Sequence, residues 1–334
     1  MRHFFPALCT VASLVLAAPT FPTPSFAGDI PAKPEPGVVK MSIIPWLGYG
    51  PWLIAQDKGY FKKEGLEGVD IITFNAMTEV FAAFTSGQVL AANMSSNSAL
   101  LLSTLSDDVA VVMMEDFSLK ADAILAGKDV KSIKDLKGKR VAYEEGDTSD
   151  VLLNYALKAN GMSLDDIIKV PMSPAQAATA VIAGQEPVGV SYEPYLTTAL
   201  SQNKDVRTLY TAGEDPGLIS DVLVVSKKMV KEKPGQVLAL VKAWDKAMHF
   251  YRAHTKEARA IIAKGVGASP EELETAFDGV VYYDLAENKA YFMGEYLNVT
   301  LPKVQDGMLG AKQIKAKVDA KALVDGRFVE AAGK

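Results

Sequence analysis

Short apolar runs alternate with amphipathic stretches along the first third of the chain. The apolar runs predict strands, and the stretches between them predict helices. Strands are expected at residues 38–45, 69–74, 89–95, 109–114 and 121–125, and helices at residues 51–64, 78–86 and 98–106. This alternation is typical of an α/β fold with a mainly parallel sheet covered by helices.

A second series of the same kind follows a charged connection at residues 128–139. It predicts strands at residues 140–143, 168–172, 188–192, 206–211 and 222–226, and helices at residues 149–160, 174–183 and 195–202. From residue 234 onward the pattern predicts helices, at residues 236–254, 256–264, 270–280 and 285–297. A chain of 334 residues arranged in two such series favours two lobes over one large core.

A constant offset relates the two series to each other. Gly87 and Gly184 are separated by the same number of residues as Trp46 and Tyr143 (184 − 87 = 143 − 46 = 97). Two similar α/β lobes that each present their strand ends form a cleft between them. A small ligand is typically clamped in such a cleft by hinge closure.

The beginning of the chain has the pattern of a secretory signal. Arg2 precedes an apolar run at residues 4–18, and small residues end at Ala27. Residues 1–27 are therefore expected to be a signal peptide, so that an exported, periplasmic chain begins at Gly28. No later stretch is long and apolar enough to predict a membrane span.

The composition argues against nucleic-acid binding, cysteine chemistry and a histidine metal site. The whole chain carries a formal charge of −5, and loss of Arg2 with the signal would make it about −6. Mild acidity without a basic block argues against nucleic acid as a partner. Cys9 lies in the expected signal, so the exported chain would have no thiol or disulfide chemistry. His249 and His254 are five residues apart on a predicted helix, which does not predict a metal pair, and no cofactor is predicted.

Aromatic residues are concentrated in the turn that follows the first strand. Trp46, Tyr49 and Trp52 lie among Gly and Pro residues there. Because open α/β sheets bind ligands at the carboxyl ends of their strands, Trp46 and Tyr49 are predicted to contact a ligand. Trp52 opens the following helix and is predicted to pack in the core.

Polar residues follow the strand predicted at residues 89–95. Ser95, Ser96 and Asn97 come directly before a helix. One of them is expected to cap that helix. The other two are then free to donate hydrogen bonds to a ligand.

Five segments together resemble the periplasmic substrate-binding proteins of nitrate/sulfonate/taurine-type ABC importers. The resemblance covers nearly all of the expected exported chain, with the segments in the right order. They are WLGYGPWLIAQDKGYFKKEGL, AAFTSGQVLAANMSSNSAL, IKDLKGKRVAYEEGDTSDVLLNYALKANGM, SYEPYLTTAL and ISDVLVVSKKMV.

The resemblance implies a two-lobed type II periplasmic binding-protein fold, in which two strands form the hinge. The first lobe is expected at residues 28–126 with a mostly helical return at 222–334, and the second lobe at 127–221. The hinges would fall near residues 123–127 and 220–224. It further implies a monomeric binding protein without enzymatic activity, which delivers a small molecule to an ABC permease and its ATPase.

The chemistry of the cleft departs from that of the related sulfonate binders. In those proteins the segment matching EEGDTSDVLL supplies hydroxyls and helix amides to an anion, and Thr148 and Ser149 would do so here. Acidic residues surround this turn, and more acids follow other strands. The acidic ligand candidates are Asp116, Glu145, Asp147 and Glu193. Glu145 is preferred to its neighbour Glu144 by its pairing with the first aromatic turn, and Glu193 by its matching position in the family.

Converging carboxylates oppose an anionic ligand and favour a cation held against aromatic faces. A small nitrogen-rich cation or amine, of guanidinium, amidine or aminopyrimidine type, is therefore the predicted ligand. Asp147 has an alternative role as a helix cap. A taurine or alkanesulfonate binder remains the first alternative. A thiamine-pyrimidine-type enzyme and a sensory receptor are the others.

Overall fold

The computed structural model describes residues 30–333, so the expected signal peptide lies outside the described residues. Its strands are β1 Val38–Ile43, β2 Gly68–Thr73, β3 Ala91–Ser95, β4 Ala110–Ser118, β5 Asp122–Ala126, β6 Arg140–Tyr143, β7 Ile168–Pro171, β8 Val188–Tyr192, β9 Arg207–Thr211, β10 Ser220–Val225 and β11 Val280–Tyr282. No helix in this part of the chain is long and apolar enough to cross a membrane.

Helices cover both faces of the sheets that these strands form. They are α1 Gly50–Asp57, α2 Tyr60–Lys63, α3 Met77–Thr85, α4 Ser96–Leu105, α5 Thr148–Ala159, α6 Pro174–Ile182, α7 Tyr195–Gln202, α8 Lys227–Glu232, α9 Pro234–Ala253, α10 Thr255–Gly265, α11 Leu285–Tyr291, α12 Leu301–Gly310, α13 Ala320–Leu323 and α14 Arg327–Ala332. A π-helix, Phe292–Thr300, connects α11 to α12.

Two separate sheets organise the molecule. The first has six strands in the order β11-β4-β10-β3-β1-β2, and the second has five in the order β7-β6-β8-β5-β9. In each sheet the βαβ units give parallel pairs, β1 with β2 and β3, and β6 with β7 and β8. The strands β10 and β5 instead run antiparallel to their neighbours. The expected α/β fold with two lobes is confirmed.

The chain crosses between the sheets twice. It leaves the first sheet after β4, through residues 119–121, and returns after β9, through residues 212–219. The strand β5 was expected in the first lobe, but it pairs with β8 and β9 of the second sheet. An apolar pattern identifies a strand but not the strands with which it pairs, and the expected boundary at 126 was therefore placed too late. The first crossing lies several residues before it. The second lies just before the expected boundary at 221.

The first lobe is built around the aromatic turn. The helix α1 packs against α9 and α10. At this junction the ring of Trp52 lies 4.9 Å from that of Trp244 and 6.1 Å from that of Phe61. All three rings are buried. Trp52 is therefore a core residue, as predicted, and it fixes the start of α1 directly behind the turn that carries Trp46 and Tyr49.

Two predicted helices differ from the observed ones. The helix expected at residues 51–64 is divided into α1 and α2 at Gly59, whose φ of 67° lies in the left-handed region. No α-helix forms at residues 270–280, where one was expected. Turns and a short 3-10 helix, Ala276–Gly279, lead there into β11, which extends the first sheet by pairing with β4. The strand β11 has only three residues and lies at the edge of the sheet, so its hydrophobic pattern is too short to predict a strand from the sequence.

Candidate functional site

Residues from both lobes enclose a small cavity at the ends of their strands. It measures about 10 Å³, which is room for about one water molecule. The lobes are thus closed onto each other, and a larger ligand requires them to stand further apart. The lining residues are Ile44, Trp46, Tyr49, Met77, Ser95 and Asp221 on the first-lobe side, Asp122, Asp147, Thr148 and Tyr192 on the second-lobe side, and Ile219 at the end of the returning crossing. We call this the interlobe cavity.

The aromatic turn forms one wall of the interlobe cavity. Trp46 donates a hydrogen bond from Nε1 to Asp116 Oδ1 at 3.3 Å. Its ring meets that of Tyr192 edge-on, with centroids 5.7 Å apart. Gly48 allows this approach, because a Cβ there would lie 2.1 Å from Asp116 Oδ2. The turn therefore holds the Trp46 ring in a fixed position against the Asp116 carboxylate of β4.

Two aspartates lie opposite each other on neighbouring strands below this wall. In the antiparallel register of β10 and β4, Asp221 pairs with Asp116, and Ser95 of β3 pairs with Asp221 from the other side. Tyr49 donates a hydrogen bond from its hydroxyl to Asp221 Oδ1 at 2.6 Å. Asp116 Oδ2 has no hydrogen-bond partner within the described chain. Asp221 lines the interlobe cavity, whereas Asp116 lies beside Asp221 and does not line it.

Burial changes the protonation of these carboxyls. It raises the pKa of Asp116 well above its ordinary value, and the neighbouring Asp221 and Glu115 raise it further. Burial likewise raises the pKa of Asp221 to about 7, although the Tyr49 hydrogen bond acts in the opposite direction. The pair is therefore partly protonated at neutral pH, since two adjacent buried carboxylates cannot both ionise at low cost.

The second lobe contributes two further carboxyls to the interlobe cavity. Asp147 Oδ1 accepts hydrogen bonds from the hydroxyls of Ser98 at 2.6 Å and Ser95 at 3.4 Å, both from the first lobe. Asp122, at the start of β5, has an Oδ2 atom without a partner in the described structure. Burial raises the pKa of both aspartates. Carboxyls from both lobes thus converge on one small volume.

Within the described chain, no lysine or arginine forms an ion pair with Asp122, Asp147 or Asp221, which line the cavity, or with Asp116 beside them. Buried charges in proteins are normally paired or hydrogen-bonded. The unpaired oxygen atoms therefore favour a ligand that brings positive charge and N–H donors.

The structure reverses the preference between the two adjacent glutamates. Glu145 is exposed, and it lies 3.7 Å from Lys169 and 3.3 Å from the Tyr143 hydroxyl. Glu144 is the buried one, and its Oε1 accepts a hydrogen bond from the Met77 amide of the first lobe at 3.1 Å. The prediction that Glu145 faces the cleft is wrong. Successive side chains on a strand end point to opposite sides, and the sequence does not show which side faces the cleft.

Other predicted residues have partners outside the interlobe cavity. Glu193 accepts hydrogen bonds from the backbone N–H and the hydroxyl of Thr197, both at 3.0 Å, so its carboxylate caps α7. Ser96 donates a hydrogen bond to the Ser220 carbonyl at 2.9 Å. Asn97 and Ser149 are buried but do not line the cavity.

Five of the predicted residues line the interlobe cavity, namely Trp46, Tyr49, Ser95, Asp147 and Thr148. Asp116 does not line it but accepts the hydrogen bond from Trp46. Ser95 also caps α4, because its Oγ accepts a hydrogen bond from the Ser98 amide at 3.4 Å. Thr148 begins α5.

Six lining residues were not among the predicted ones, namely Ile44, Met77, Asp122, Tyr192, Ile219 and Asp221. Asp122 and Asp221 lie at the beginning of apolar strands, and Tyr192 ends another. An acid at the boundary of a buried strand was the available signal for the two aspartates. No group of three or more metal-ligating side chains occurs within residues 30–333.

Two α/β lobes, two crossings and a site between strand ends are the architecture of a two-lobed periplasmic binding-protein fold. The alkanesulfonate-binding protein SsuA of Xanthomonas axonopodis pv. citri, solved bound to MOPS, superposes with a TM-score of 0.73 at 18% identity. It covers 87% of this chain and 99% of its own. The NMT1/THI5-like family model matches residues 47–258, and the chain belongs to this family.

Two relatives by sequence carry names that specify different ligands. A Bacillus subtilis protein named for the binding of aliphatic sulfonates is 25% identical over 84% of each chain. The riboflavin-binding protein RibY of Chloroflexus aurantiacus is 28% identical over 69% of each chain. Both of these relatives and SsuA are named as binding proteins.

Proposed function

We propose that this protein is the periplasmic receptor of an ABC importer and captures a small, nitrogen-rich cation in its interlobe cavity. Guanidinium, amidine and protonated aminopyrimidine groups are the chemical class. The observation that carries the proposal is the convergence of Asp122, Asp147 and Asp221 on the cavity, with Asp116 beside Asp221, and without a basic partner within the described chain. The periplasmic location rests on the signal-like pattern of residues 1–27 and on the similar fold of the periplasmic sulphonate-binding protein SsuA of Escherichia coli.

Geometry supports a ligand with several N–H groups. Asp116 Oδ2 and Asp122 Oδ2 are buried acceptors without partners. A planar cation with N–H donors could satisfy such oxygens by charge-assisted hydrogen bonds, which are roughly twice as strong as neutral ones. The rings of Trp46 and Tyr192 supply apolar surface and π-electrons beside the acids. A single ammonium group would leave more of these oxygens unpaired.

The distribution of charge between the lobes supports capture by closure. Asp116 and Asp221 belong to the first lobe, whereas Asp147 belongs to the second. Ionised carboxylates on opposite walls repel each other, and the repulsion grows as water is excluded. A cation between them would convert this repulsion into attraction. Its binding energy would thus draw the lobes together around the ligand, although further apart than here, where the cavity has room for about one water molecule. This ligand-bound form is the one that the permease would receive.

A sulfonate is the second candidate ligand. The names of SsuA and of the Bacillus subtilis relative support it, and so do the Thr148 hydroxyl and the amino-terminal end of α5 at the interlobe cavity. An anion there would need the surrounding carboxyls to be protonated. A zwitterion such as taurine could use one carboxylate for its ammonium group.

A thermal-shift panel with matched variants tests the proposal. Guanidinium, acetamidine and aminopyrimidines are compared with taurine, ethanesulfonate and nitrate at neutral pH. We expect cations to raise the melting temperature and Asp221→Asn to abolish that rise. The control variant Glu145→Gln removes one exposed carboxylate close to the cavity, and it should leave the rise in melting temperature unchanged. Stabilisation by sulfonates alone, or equal responses of the two variants, would contradict the proposed ligand class.

A further inference from the structure

A second and larger cavity lies on the first lobe, beside the segment that returns from the second lobe. Its volume is about 470 Å³, within the usual range for small-molecule sites. It shares no lining residue with the interlobe cavity. The wall is formed by the end of β4, by Pro216 and Gly217 of the returning segment, by β11 with the adjoining Tyr283, and by the helical stretch from α11 to the π-helix. We call it the hinge cavity.

Aromatic rings line the hinge cavity without interruption. The centroids of Phe117 and Tyr283 lie 5.8 Å apart, and those of Tyr283 and Tyr291 lie 5.9 Å apart. Tyr291 is 42% exposed although it is a large aromatic residue. Exposed contiguous rings are unusual on a monomer surface and often mark a binding site. The wall therefore offers both ring faces and apolar area to a ligand.

The charged groups of this cavity are all acidic. Glu287 and Glu295 line it, and no lysine, arginine or histidine does. Glu287 is engaged by Arg252 at 2.7 Å and by the Asp284 amide. Glu295 is exposed and makes no hydrogen bond or ion pair within the described chain. A free carboxylate thus stands at the edge of an aromatic wall.

The backbone that carries this carboxylate is an independent sign of function. Residues Phe292–Thr300 form nine residues of π-helix. Such helices are rare, are usually limited to one turn, and occur frequently at functional sites. This one supplies Glu295, Tyr296 and Thr300 to the cavity wall.

We infer that the hinge cavity binds an organic cation with a flat or apolar body, such as an aromatic quaternary ammonium compound. The body would lie against Phe117, Tyr283 and Tyr291, and the charge would lie near Glu295. Cation–π attraction and apolar burial act together in this arrangement. The inference does not depend on which solute occupies the interlobe cavity, because the two cavities have no side chain in common.

The test is a calorimetric titration of the full chain with benzyltrimethylammonium, with benzenesulfonate as the anionic comparison. We expect saturable binding of the cation, and affinity about threefold to tenfold lower for Tyr291→Ala and for Glu295→Gln. Both residues are exposed, so both variants should fold. Val299→Ala is the matched control, since Val299 is exposed on the same π-helix outside the cavity.

A further variant separates the hinge cavity from the interlobe cavity. Asp147 lines the interlobe cavity and not the hinge cavity, so Asp147→Asn should leave the affinity for benzyltrimethylammonium as in the wild type. The inference is overturned by an absence of saturable binding or by equally tight binding of benzenesulfonate. It is also overturned if Asp147→Asn weakens the affinity while Tyr291→Ala does not.

Discussion

Asp221 lies directly opposite Asp116 across two antiparallel strands, and the Tyr49 hydroxyl donates to Asp221 at 2.6 Å. The pair is buried, and Asp147 faces it from the other lobe. A protein that only needed stability would gain little from such an arrangement, because buried unpaired carboxyls are costly. The arrangement is consistent with a site whose missing partner is the ligand.

Replacing Asp147 by Asn should weaken cation binding severely. Asparagine keeps an acceptor for the Ser98 hydroxyl, so the contact between the lobes can persist while the charge is lost. Removing one partner of a buried charge pair typically costs about 2–5 kcal/mol, or roughly 30-fold or more in affinity. Isothermal titration with the best cation of the panel measures this change. Glu145→Gln is the control and should alter affinity by less than about twofold; a comparable loss in both variants would show that only overall charge matters.

The stability of the ligand-free protein should fall as pH rises. The pKa of Asp221 is raised from 3.8 to about 7 in the folded state. Between these values the folded state holds more protons than the unfolded state, so the free energy of unfolding decreases with increasing pH. The decrease attributable to Asp221 is at most on the order of 4 kcal/mol. Urea unfolding from pH 4 to 8 at constant ionic strength measures it. Asp221→Asn should flatten the slope, and an unchanged slope would place the titration elsewhere.

Tryptophan fluorescence should report ligand entry through Trp46. Of Trp46, Trp52 and Trp244, only Trp46 lines the interlobe cavity. Trp46→Phe keeps an aromatic ring but removes the Nε1 donor to Asp116. We expect this variant to lose the ligand-induced change in emission and to bind the cation with altered affinity. Persistence of the full emission change would assign the signal to Trp52 or Trp244.

Adding a methyl group at Gly48 should disrupt the site without touching the ligand. A Cβ there would lie 2.1 Å from both Asp116 Oδ2 and Trp46 Nε1, so both groups must move away from residue 48. We expect Gly48→Ala to reduce cation affinity by at least tenfold through displacement of the carboxylate. Gly138→Ala is a control for general glycine replacement away from the site, since its Cβ would meet no atom within 4 Å, although its φ of 72° adds strain. Retained affinity in Gly48→Ala would show that Asp116 is not a ligand contact.

The sequence predicts the parts of this site that depend on local pattern. The aromatic turn at Trp46 and Tyr49 follows an apolar strand, and that order alone places it at a strand end. The acidic turn at Asp147 is found in the same way. The choice between Glu144 and Glu145 could not be made, because it depends on how the strand faces the other lobe. Asp221 was missed because its partner Asp116 lies on a strand about a hundred residues earlier, and only the sheet register brings them together.

The exchange of protons on binding tests the charge of the ligand most directly. Cation binding lowers the pKa of the cavity carboxyls, so protons are released and affinity rises from about pH 5 to 8, through the pKa of Asp221 near 7. An anion would require protonated carboxyls. Titration calorimetry in buffers of different ionisation enthalpy counts these protons for the tightest ligand of the panel. We expect release of protons and tighter binding at higher pH; proton uptake with affinity falling as pH rises would contradict a cation-binding site.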